Sequence, residues 1–278
     1  MKKITLFLSL VFLVLGQLSA QITDTIQVYS SSMKKEIPNI IILPESYTQQ
    51  PQTNYPVVYL LHGYGGNYST WSQKTKPDLA KVASGLGLII VCPDGANSWY
   101  WDSPVNPASQ YETYVSRELV EYIDKNYRTI PSRKGRAITG FSMGGHGGLW
   151  LGFRHPNIYG ACGSMSGGVD IRPFPNNWDM KNSIGNYAEN TQRWDEHTVI
   201  NLIPFDPQQD PLAIIIDCGT EDFFYNVNQA LHEKLLNHKI PHDYIIRPGK
   251  HNNEYWNNAI DYQLLFFKKE LEKLNIEN

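Results

Sequence analysis

The sequence predicts an α/β fold, in which a mostly parallel central sheet carries helices on both faces and a small cap-like insertion covers part of it. Short, continuous apolar runs, typical of strands buried on both faces, alternate along the chain with segments of helical periodicity. The chain has 278 residues, of which 41% are hydrophobic, and this is enough for one large core. We therefore expect a single domain over residues 21–278.

The strands follow from short apolar runs that end at turn residues. Residues 25–29 and 37–43 predict an antiparallel pair that begins the sheet, and the proline-bounded residues 44–56 predict a loop. Residues 57–61 form a continuous apolar run, as expected of a buried strand. Later runs predict strands over residues 86–92, 137–139, 159–165, 212–216 and 244–246.

The helices lie between these strands. Residues 111–126 show helical periodicity, with Tyr114, Leu119, Tyr122 and Ile123 as core positions. Further helices are predicted over residues 78–84, 228–237 and 254–274, and one begins just after Ser142. Strands that alternate with helices in this way predict parallel pairing and helices on both faces of the sheet.

Residues 1–20 have the composition of a secretory signal peptide. Lys2 and Lys3 precede an apolar stretch, and Leu18-Ser19-Ala20 ends in a small residue suited to cleavage. The apolar stretch is short for a membrane span. We therefore expect cleavage near Ala20 and a secreted or periplasmic mature protein that has no stable membrane span.

Charge and cysteine content narrow the possible partners. The formal net charge of −3 gives no electrostatic footprint for nucleic acid. Cys92, Cys162 and Cys218 each lie in or beside an apolar, strand-like run, so we expect buried free thiols. No cysteine and histidine spacing typical of a metal site appears, and the sequence therefore predicts no bound metal.

The central motif is Gly140-Phe141-Ser142-Met143-Gly144, which fits the Gly-x-Ser-x-Gly pattern of a nucleophile elbow between a strand and a helix. Glycines on either side of the serine let backbones approach where a Cβ would clash. The helix N-terminus directs positive charge at whatever binds there. A glycine-rich turn of this kind can be purely structural, but the strand before it and the helical spacing after it favour a catalytic serine.

A second motif, His62-Gly63-Tyr64-Gly65-Gly66, follows the strand over residues 57–61. A turn of this kind after an early strand is the usual place for the second half of an oxyanion hole. Two backbone N–H groups aimed at the developing oxyanion are worth a few kcal/mol each. We assign these donors to Tyr64 and Met143, and we interpret His62 as a structural hydrogen-bonding residue.

A catalytic serine needs a base, and the base needs an acid that orients it. In the chain order serine, acid, histidine, His251 is the candidate base because it lies in a glycine turn after the last predicted strand. Asp222 follows the end of the strand over residues 212–216 by a short turn, so its carboxylate can reach His251. We favour Asp222 as the acid over Glu221 and Asp217.

Two aromatic-rich segments are candidates for substrate contact. Residues 97–104 carry Trp99, Tyr100 and Trp101 in a loop at a strand end, where α/β folds open onto the ligand crevice. We expect Trp99 and Tyr100 to form a wall of the substrate site; the alternative is a surface loop whose aromatic side chains fold underneath it. Residues 169–210 break the alternation and predict a partly helical excursion over the same face, either a cap that shapes the pocket or inert decoration.

Together these motifs resemble the esterase D-like branch of the α/β-hydrolases over residues 57–267. That branch includes carbohydrate esterase family 1 (feruloyl and acetylxylan esterases), tributyrin-type esterases, S-formylglutathione hydrolase and the mycolyltransferases. The stretches that carry the resemblance are Leu61-His62-Gly63-Tyr64-Gly65-Gly66, Asn97-Ser98-Trp99-Tyr100, Gly140-Phe141-Ser142-Met143-Gly144-Gly145, Cys218-Gly219-Thr220-Glu221-Asp222, Pro248-Gly249-Lys250-His251 and Tyr255-Trp256.

The resemblance implies an α/β-hydrolase fold, a Ser142-Asp222-His251 triad, and no metal or other cofactor. It also implies that Trp256 lies near His251, where we expect it to contact substrate. The polar residues 252–253 depart from the pattern, because many relatives have an aromatic residue there, and this departure concerns the shape of the pocket.

The function that the resemblance implies is a secreted serine carboxylic-ester hydrolase that works through an acyl-enzyme. By analogy its substrate is a small-molecule or oligosaccharide ester, such as an acetyl or feruloyl ester of a carbohydrate. One alternative is an acyltransferase that uses the same triad with a sugar or lipid acceptor. Another is a non-catalytic binding protein, which the intact triad disfavours. The sequence leaves the oligomeric state open.

Overall fold

One sheet of eight strands organises the computed structural model, which describes residues 22–203 and 211–276. The predicted signal peptide lies outside these described residues. The strands are β1 (Ile22–Ser30), β2 (Lys35–Leu43), β3 (Val57–Leu61), β4 (Ile89–Pro93), β5 (Arg136–Gly140), β6 (Ala161–Met165), β7 (Ala213–Gly219) and β8 (Asp243–Arg247).

The strand order across the sheet is β1-β2-β4-β3-β5-β6-β7-β8. β1 pairs antiparallel with β2, and β2 pairs antiparallel with β4, as the predicted antiparallel start requires. The other pairings are parallel. β3 to β6 are buried at every position, and in β3 and β4 this burial explains the continuous apolar runs. β1 is exposed over its first residues and then alternates between exposed and buried positions over residues 25–30.

Helices cover both faces of the sheet. They are α1 (Ser46–Gln49), α2 (Leu79–Leu86), α3 (Tyr111–Thr113), α4 (Leu119–Asn126), α5 (Met143–Arg154), α6 (Met180–Ile184), α7 (Thr191–Glu196), α8 (Tyr225–Asn237) and α9 (Asn253–Ile276). A π-helical turn, Tyr114–Glu118, joins α3 to α4, so the predicted helix over residues 111–126 is continuous. α2 and α9 pack on one face, and α4, α5 and α8 pack on the other. Among the described residues, no helix is both long enough and apolar enough to cross a bilayer.

The boundary between α2 and β4 differs from the prediction. α2 continues to Leu86, and Gly87 ends it with a left-handed φ of 63°. The amide of Gly87 then bonds to the last turn of the helix, as in a glycine C-cap. The apolar run that predicted a strand from residue 86 therefore contains a helix end, and β4 begins only at Ile89.

The cap segment, residues 169–203, is partly helical, as its sequence predicts. It contains α6, α7 and two short 3₁₀ turns, Tyr187–Glu189 and Val199–Leu202. Met180, Ile184 and Trp194 are buried and belong to the same apolar core as the sheet, so this segment is an integral part of the domain. The remainder of the predicted excursion, residues 204–210, lies outside the described residues.

The three cysteines are buried and free, as predicted. Burial raises the pKa of the Cys92, Cys162 and Cys218 thiols, so each behaves as a small apolar side chain.

Candidate active site

Ser142 occupies a strained turn between β5 and α5. Its backbone has φ 58° and ψ −119°, a conformation that is costly for a residue with a Cβ. The surrounding structure holds it there: the Ser142 amide donates to the Met165 carbonyl of β6 (2.9 Å), and the Ser142 carbonyl accepts from the His146 amide (3.0 Å). The strand-to-helix turn that the motif predicts is therefore present, with the serine at its apex.

The two motif glycines are required by close backbone approach. A Cβ on Gly140 would lie 2.5 Å from the Leu61 carbonyl oxygen and 2.7 Å from the Gly144 carbonyl oxygen. A Cβ on Gly144 would lie 2.5 Å from the Leu61 oxygen and 2.7 Å from the His62 oxygen. All of these are backbone atoms, of β3, of the loop that follows it and of α5, so the clash cannot be relieved by the movement of a side chain.

Gly144→Ala is expected to destabilise the fold by about 1–3 kcal/mol, because the added methyl group overpacks against backbone. The displaced elbow should also lower kcat/KM for ester hydrolysis, by about 10²-fold for a shift near 1 Å. The matched control is Gly85→Ala in α2, where no atom lies within 4 Å of the new Cβ. The free energy of unfolding of that control should rise by about 0.5–1 kcal/mol, because alanine has a higher helix propensity than glycine. Urea unfolding measures the stability of both variants, and steady-state kinetics measures kcat/KM. Equal unfolding midpoints for the two variants would contradict the proposed clash.

The structure brings Ser142, Asp222 and His251 together. His251 Nε2 lies 2.9 Å from Ser142 Oγ, and His251 Nδ1 lies 2.8 and 3.0 Å from the two carboxylate oxygens of Asp222. Because a carboxylate only accepts hydrogen bonds, Nδ1 carries the proton and Nε2 presents its lone pair to the serine hydroxyl. The Asp222 side chain is fully buried, and its Oδ1 also accepts the Phe224 amide (2.8 Å).

The other two candidate acids face elsewhere. The Asp217 carboxylate accepts hydrogen bonds from the Arg247 guanidinium and the Tyr255 hydroxyl, inside the domain. Burial raises the pKa of Asp217, against the opposing effect of these donors. Glu221 is exposed, with its Oε2 3.5 Å from Lys250 Nζ. Only Asp222, of the three, contacts His251.

The His-Gly loop after β3 is held by His62. The Gly95 amide donates to His62 Nε2 (2.8 Å), so the ring proton is on Nδ1, which donates to the Gly63 carbonyl (2.8 Å). Burial lowers the pKa of His62, which keeps the ring neutral in this arrangement. Among the described residues, neither the Tyr64 amide nor the Met143 amide donates to another protein group. Both amides are therefore available to donate to a bound ligand. Their role as oxyanion-hole donors stays a prediction.

A cavity of about 380 Å³ opens beside the serine and the histidine. Its lining includes Tyr64, Lys74, Phe141, Trp178, Phe223 and Trp256. Trp256 stands edge-on to His251 with ring centroids 4.9 Å apart, so it lies where the resemblance places it. Its other neighbour is Phe141, on which it stacks at 4.1 Å. Its contact with substrate remains a prediction.

The predicted wall of Trp99 and Tyr100 is wrong. Both side chains are buried, with 1% and 0% of their surface exposed, and neither lines the cavity. Positive φ angles of 57° and 62° turn the loop inward. Trp99 then stacks on Trp101 (5.7 Å), and the Tyr100 hydroxyl donates to the His62 carbonyl (3.0 Å). Burial of such large rings is strongly favourable. The loop therefore packs inside the domain, beneath the His-Gly loop.

Comparison with known proteins agrees with this architecture. The chain matches the Esterase family model over residues 30–267.

The chain belongs to the Esterase family.

It is 28% identical over 236 residues to an esterase from Mycobacterium tuberculosis, covering 76% of this chain and 51% of that protein. The chain therefore spans about half the length of that relative. It is 26% identical over 254 residues to an acetyl esterase from Caldicellulosiruptor saccharolyticus, covering 84% of this chain and 94% of the relative.

Solved structures of esterases share the fold. A ferulic acid esterase superposes with a TM-score of 0.78 at 30% identity, covering 90% of this chain and 98% of that one. An S-formylglutathione hydrolase from Agrobacterium tumefaciens superposes with a TM-score of 0.75 at 22% identity, covering 92% and 98% of the two chains. The predicted α/β-hydrolase fold is confirmed.

Two further aromatic residues, Phe223 and Trp178, lie at the candidate site, and neither is among the site residues predicted from the sequence. Phe223 is 51% exposed, packs on His251 with ring centroids 4.2 Å apart, and stacks on Trp178 at 5.8 Å. Next to Trp178, Asp179 accepts a hydrogen bond from the Tyr64 hydroxyl (2.5 Å), which joins the cap segment to the His-Gly loop and raises the pKa of Tyr64. The sequence does contain a signal for Phe223, because this residue directly follows the candidate acid Asp222.

The burial of His146, in α5 after the candidate nucleophile, predicts that acid destabilises the fold. It is fully buried, its Nδ1 lies 3.1 Å from the Gly168 carbonyl, and burial lowers its pKa from 6.5 to about 3. Between these values the unfolded chain binds one more proton at this ring than the folded chain does. Stability from this group is therefore lost as the pH falls from 6.5 towards 3, by about 1.4 kcal/mol per pH unit.

His146→Gln should remove this component of the pH dependence, and unfolding in urea at a series of pH values measures it. The control is His238→Gln, an exposed histidine at the end of α8, which should keep the slope of the unaltered protein. Parallel stability curves for the His146 variant and the unaltered protein would refute the assignment.

Proposed function

We propose that this chain is a serine carboxylic-ester hydrolase with Ser142 as nucleophile, His251 as base and Asp222 as the orienting acid. The observation that carries the proposal is the continuous chain of hydrogen bonds from Ser142 Oγ through both ring nitrogens of His251 to Asp222. Membership of the Esterase family supports the same reaction class.

In the proposed reaction, His251 Nε2 takes the Ser142 proton as Oγ forms a bond to the ester carbonyl carbon. The electron pair of the carbonyl double bond moves to its oxygen, which the amides of Tyr64 and Met143 stabilise. When this intermediate collapses, the bond to the alcohol oxygen breaks, and His251 gives that oxygen its proton. Water then cleaves the acyl-enzyme by the same steps. Asp222 stabilises the imidazolium and stays ionised throughout.

We propose acetyl or feruloyl esters of carbohydrates as the substrates. Similarity to an acetyl esterase and to a ferulic acid esterase supports this class. The exposed ring of Phe223 and the neighbouring Trp178 offer flat apolar surface beside the catalytic histidine, which suits an aryl or sugar ring. We also propose that residues 1–20 direct export, since their composition matches a signal peptide.

A panel of esters tests the proposal. Purified protein would be assayed on p-nitrophenyl acetate, p-nitrophenyl butyrate, methyl ferulate and acetylated xylo-oligosaccharides, before and after treatment with a serine-reactive fluorophosphonate. We expect hydrolysis that the reagent abolishes, with a single adduct on the peptide that contains Ser142. Hydrolysis that survives complete labelling of Ser142 would overturn the triad. Turnover of only the p-nitrophenyl esters would overturn the carbohydrate-ester substrate while leaving the esterase intact.

A further inference from the structure

Two histidines outside the active site have ring nitrogens in direct contact. His232 lies on α8, and His242 lies just before β8. His232 Nδ1 and His242 Nε2 are 2.8 Å apart. Both rings are partly exposed, so the pair is open to solvent and to small ions. Nothing in the proposed esterase reaction uses it.

Each ring has one further neighbour within the fold. His242 Nδ1 lies 2.8 Å from the Ile240 carbonyl, which only accepts hydrogen bonds, so Nδ1 carries the proton and Nε2 presents a lone pair. The His232 ring stacks on Tyr244, with centroids 4.2 Å apart and an interplanar angle of 20°. One nitrogen of each ring therefore faces the other ring across the gap between α8 and the entry to β8.

We propose that His232 and His242 form a binding site for a divalent transition-metal ion of the zinc, nickel or copper type. The ligands are His242 Nε2 and His232 Nδ1, with the His232 proton moved to Nε2. Imidazole nitrogens suit these ions, whereas magnesium and calcium prefer oxygen ligands. The Ile240 carbonyl orients His242 in the way that carbonyl partners orient metal-binding histidines.

To accept the ion, both rings must move apart and turn. Zinc-to-nitrogen bonds of about 2.0–2.1 Å at a tetrahedral angle place the two nitrogens about 3.3 Å apart, so the rings separate by about 0.5 Å and each turns by about 35° towards the ion. The described part of the chain holds no group of three or more metal-ligating side chains, so water completes the coordination. Burial, and to a lesser extent the charge of His242, lower the pKa of His232, which favours the neutral ring that a metal requires.

The position of the pair gives the ion a structural consequence. α8 begins shortly after Asp222, and β8 ends shortly before His251. An ion held between α8 and the entry to β8 therefore ties together the two elements that connect the candidate acid to the candidate base. Because the ion binds the folded chain, it should raise the melting temperature.

Calorimetric titration of untagged protein with zinc chloride or nickel chloride at pH 7.5 tests the site. We expect one ion per chain, and at least a tenfold loss of affinity in His232→Gln and in His242→Ala. The glutamine amide can still donate a hydrogen bond to His242 Nε2, so this variant keeps the contact and removes the coordinating nitrogen. His238→Ala, a control on the same helix end, and His251→Ala in the active site should both bind as the unaltered protein does.

Electron paramagnetic resonance of the unaltered protein with one equivalent of copper(II) gives an independent readout that needs no variant. Hyperfine coupling to two imidazole nitrogens is expected. The proposal is overturned if His232→Gln binds zinc and nickel as tightly as the unaltered protein, if His238→Ala or His251→Ala loses as much affinity, or if the copper spectrum lacks coupling to two nitrogens. None of these measurements depends on esterase activity.

Discussion

Ser142→Ala is expected to lower kcat/KM for ester hydrolysis by about 10⁴- to 10⁶-fold, which is the range seen when a triad nucleophile is removed. The variant loses the hydroxyl oxygen that lies 2.9 Å from His251 Nε2. Residual turnover should come from the amides of Tyr64 and Met143 acting on bound ester and water. Steady-state rates on p-nitrophenyl acetate, with the uncatalysed rate subtracted, measure the effect.

The free energy of unfolding of Ser142→Ala should stay within about 1 kcal/mol of the unaltered value, because the strained backbone at φ 58° has to be adopted by alanine as well. Ser132→Ala, at an exposed serine before β5, is the matched control and should leave both activity and stability unchanged. An active Ser142→Ala protein would remove the basis for the triad.

The second large effect distinguishes Asp222 from Asp217, when each is replaced by the isosteric asparagine. Asp222→Asn should lower kcat by about 10⁴-fold, because an amide can donate to His251 Nδ1 and so stabilises the wrong tautomer. Its stability should change little, since the amide oxygen still accepts the Phe224 amide. Asp217→Asn should instead cost about 3–5 kcal/mol, because it leaves the charge of Arg247 without its buried partner.

Two measurements test whether one variant loses activity and the other loses stability. They are urea unfolding and kcat, each made on both variants at a temperature where each is folded. Folded Asp217→Asn should keep kcat within about tenfold of the unaltered value, because its carboxylate makes no contact with His251 or Ser142. The opposite pattern, with catalysis lost in Asp217→Asn and stability lost in Asp222→Asn, would reassign the acid.

Several features of the site could be read from local sequence. The elbow at Ser142 is encoded in a few consecutive residues, since Gly140 and Gly144 are required by backbone contacts that any such turn creates. His251 and the pair of aspartates follow the ends of predicted strands. The carboxyl ends of parallel strands meet at one edge of a sheet, so their order in the chain was enough to predict that these side chains lie close together.

Other features depended on contacts between distant parts of the chain. Asp217 and Asp222 are close in sequence, and only the packing of Arg247 and Tyr255 against Asp217 shows which of them faces His251. The position of the aromatic loop was ambiguous in the same way. Three aromatic residues at a strand end can either line the substrate site or be buried beneath the loop.

By itself, the sequence determined the order of strands and helices, the elbow and the candidate base, because each is specified by short-range backbone chemistry. The tertiary structure alone decided the burial of Trp99 and Tyr100, the placement of Phe223 and Trp178 on the cavity, and the meeting of His232 with His242. The physical reason is that burial and side-chain pairing depend on the surfaces that folding brings together, and these surfaces come from segments far apart in the chain.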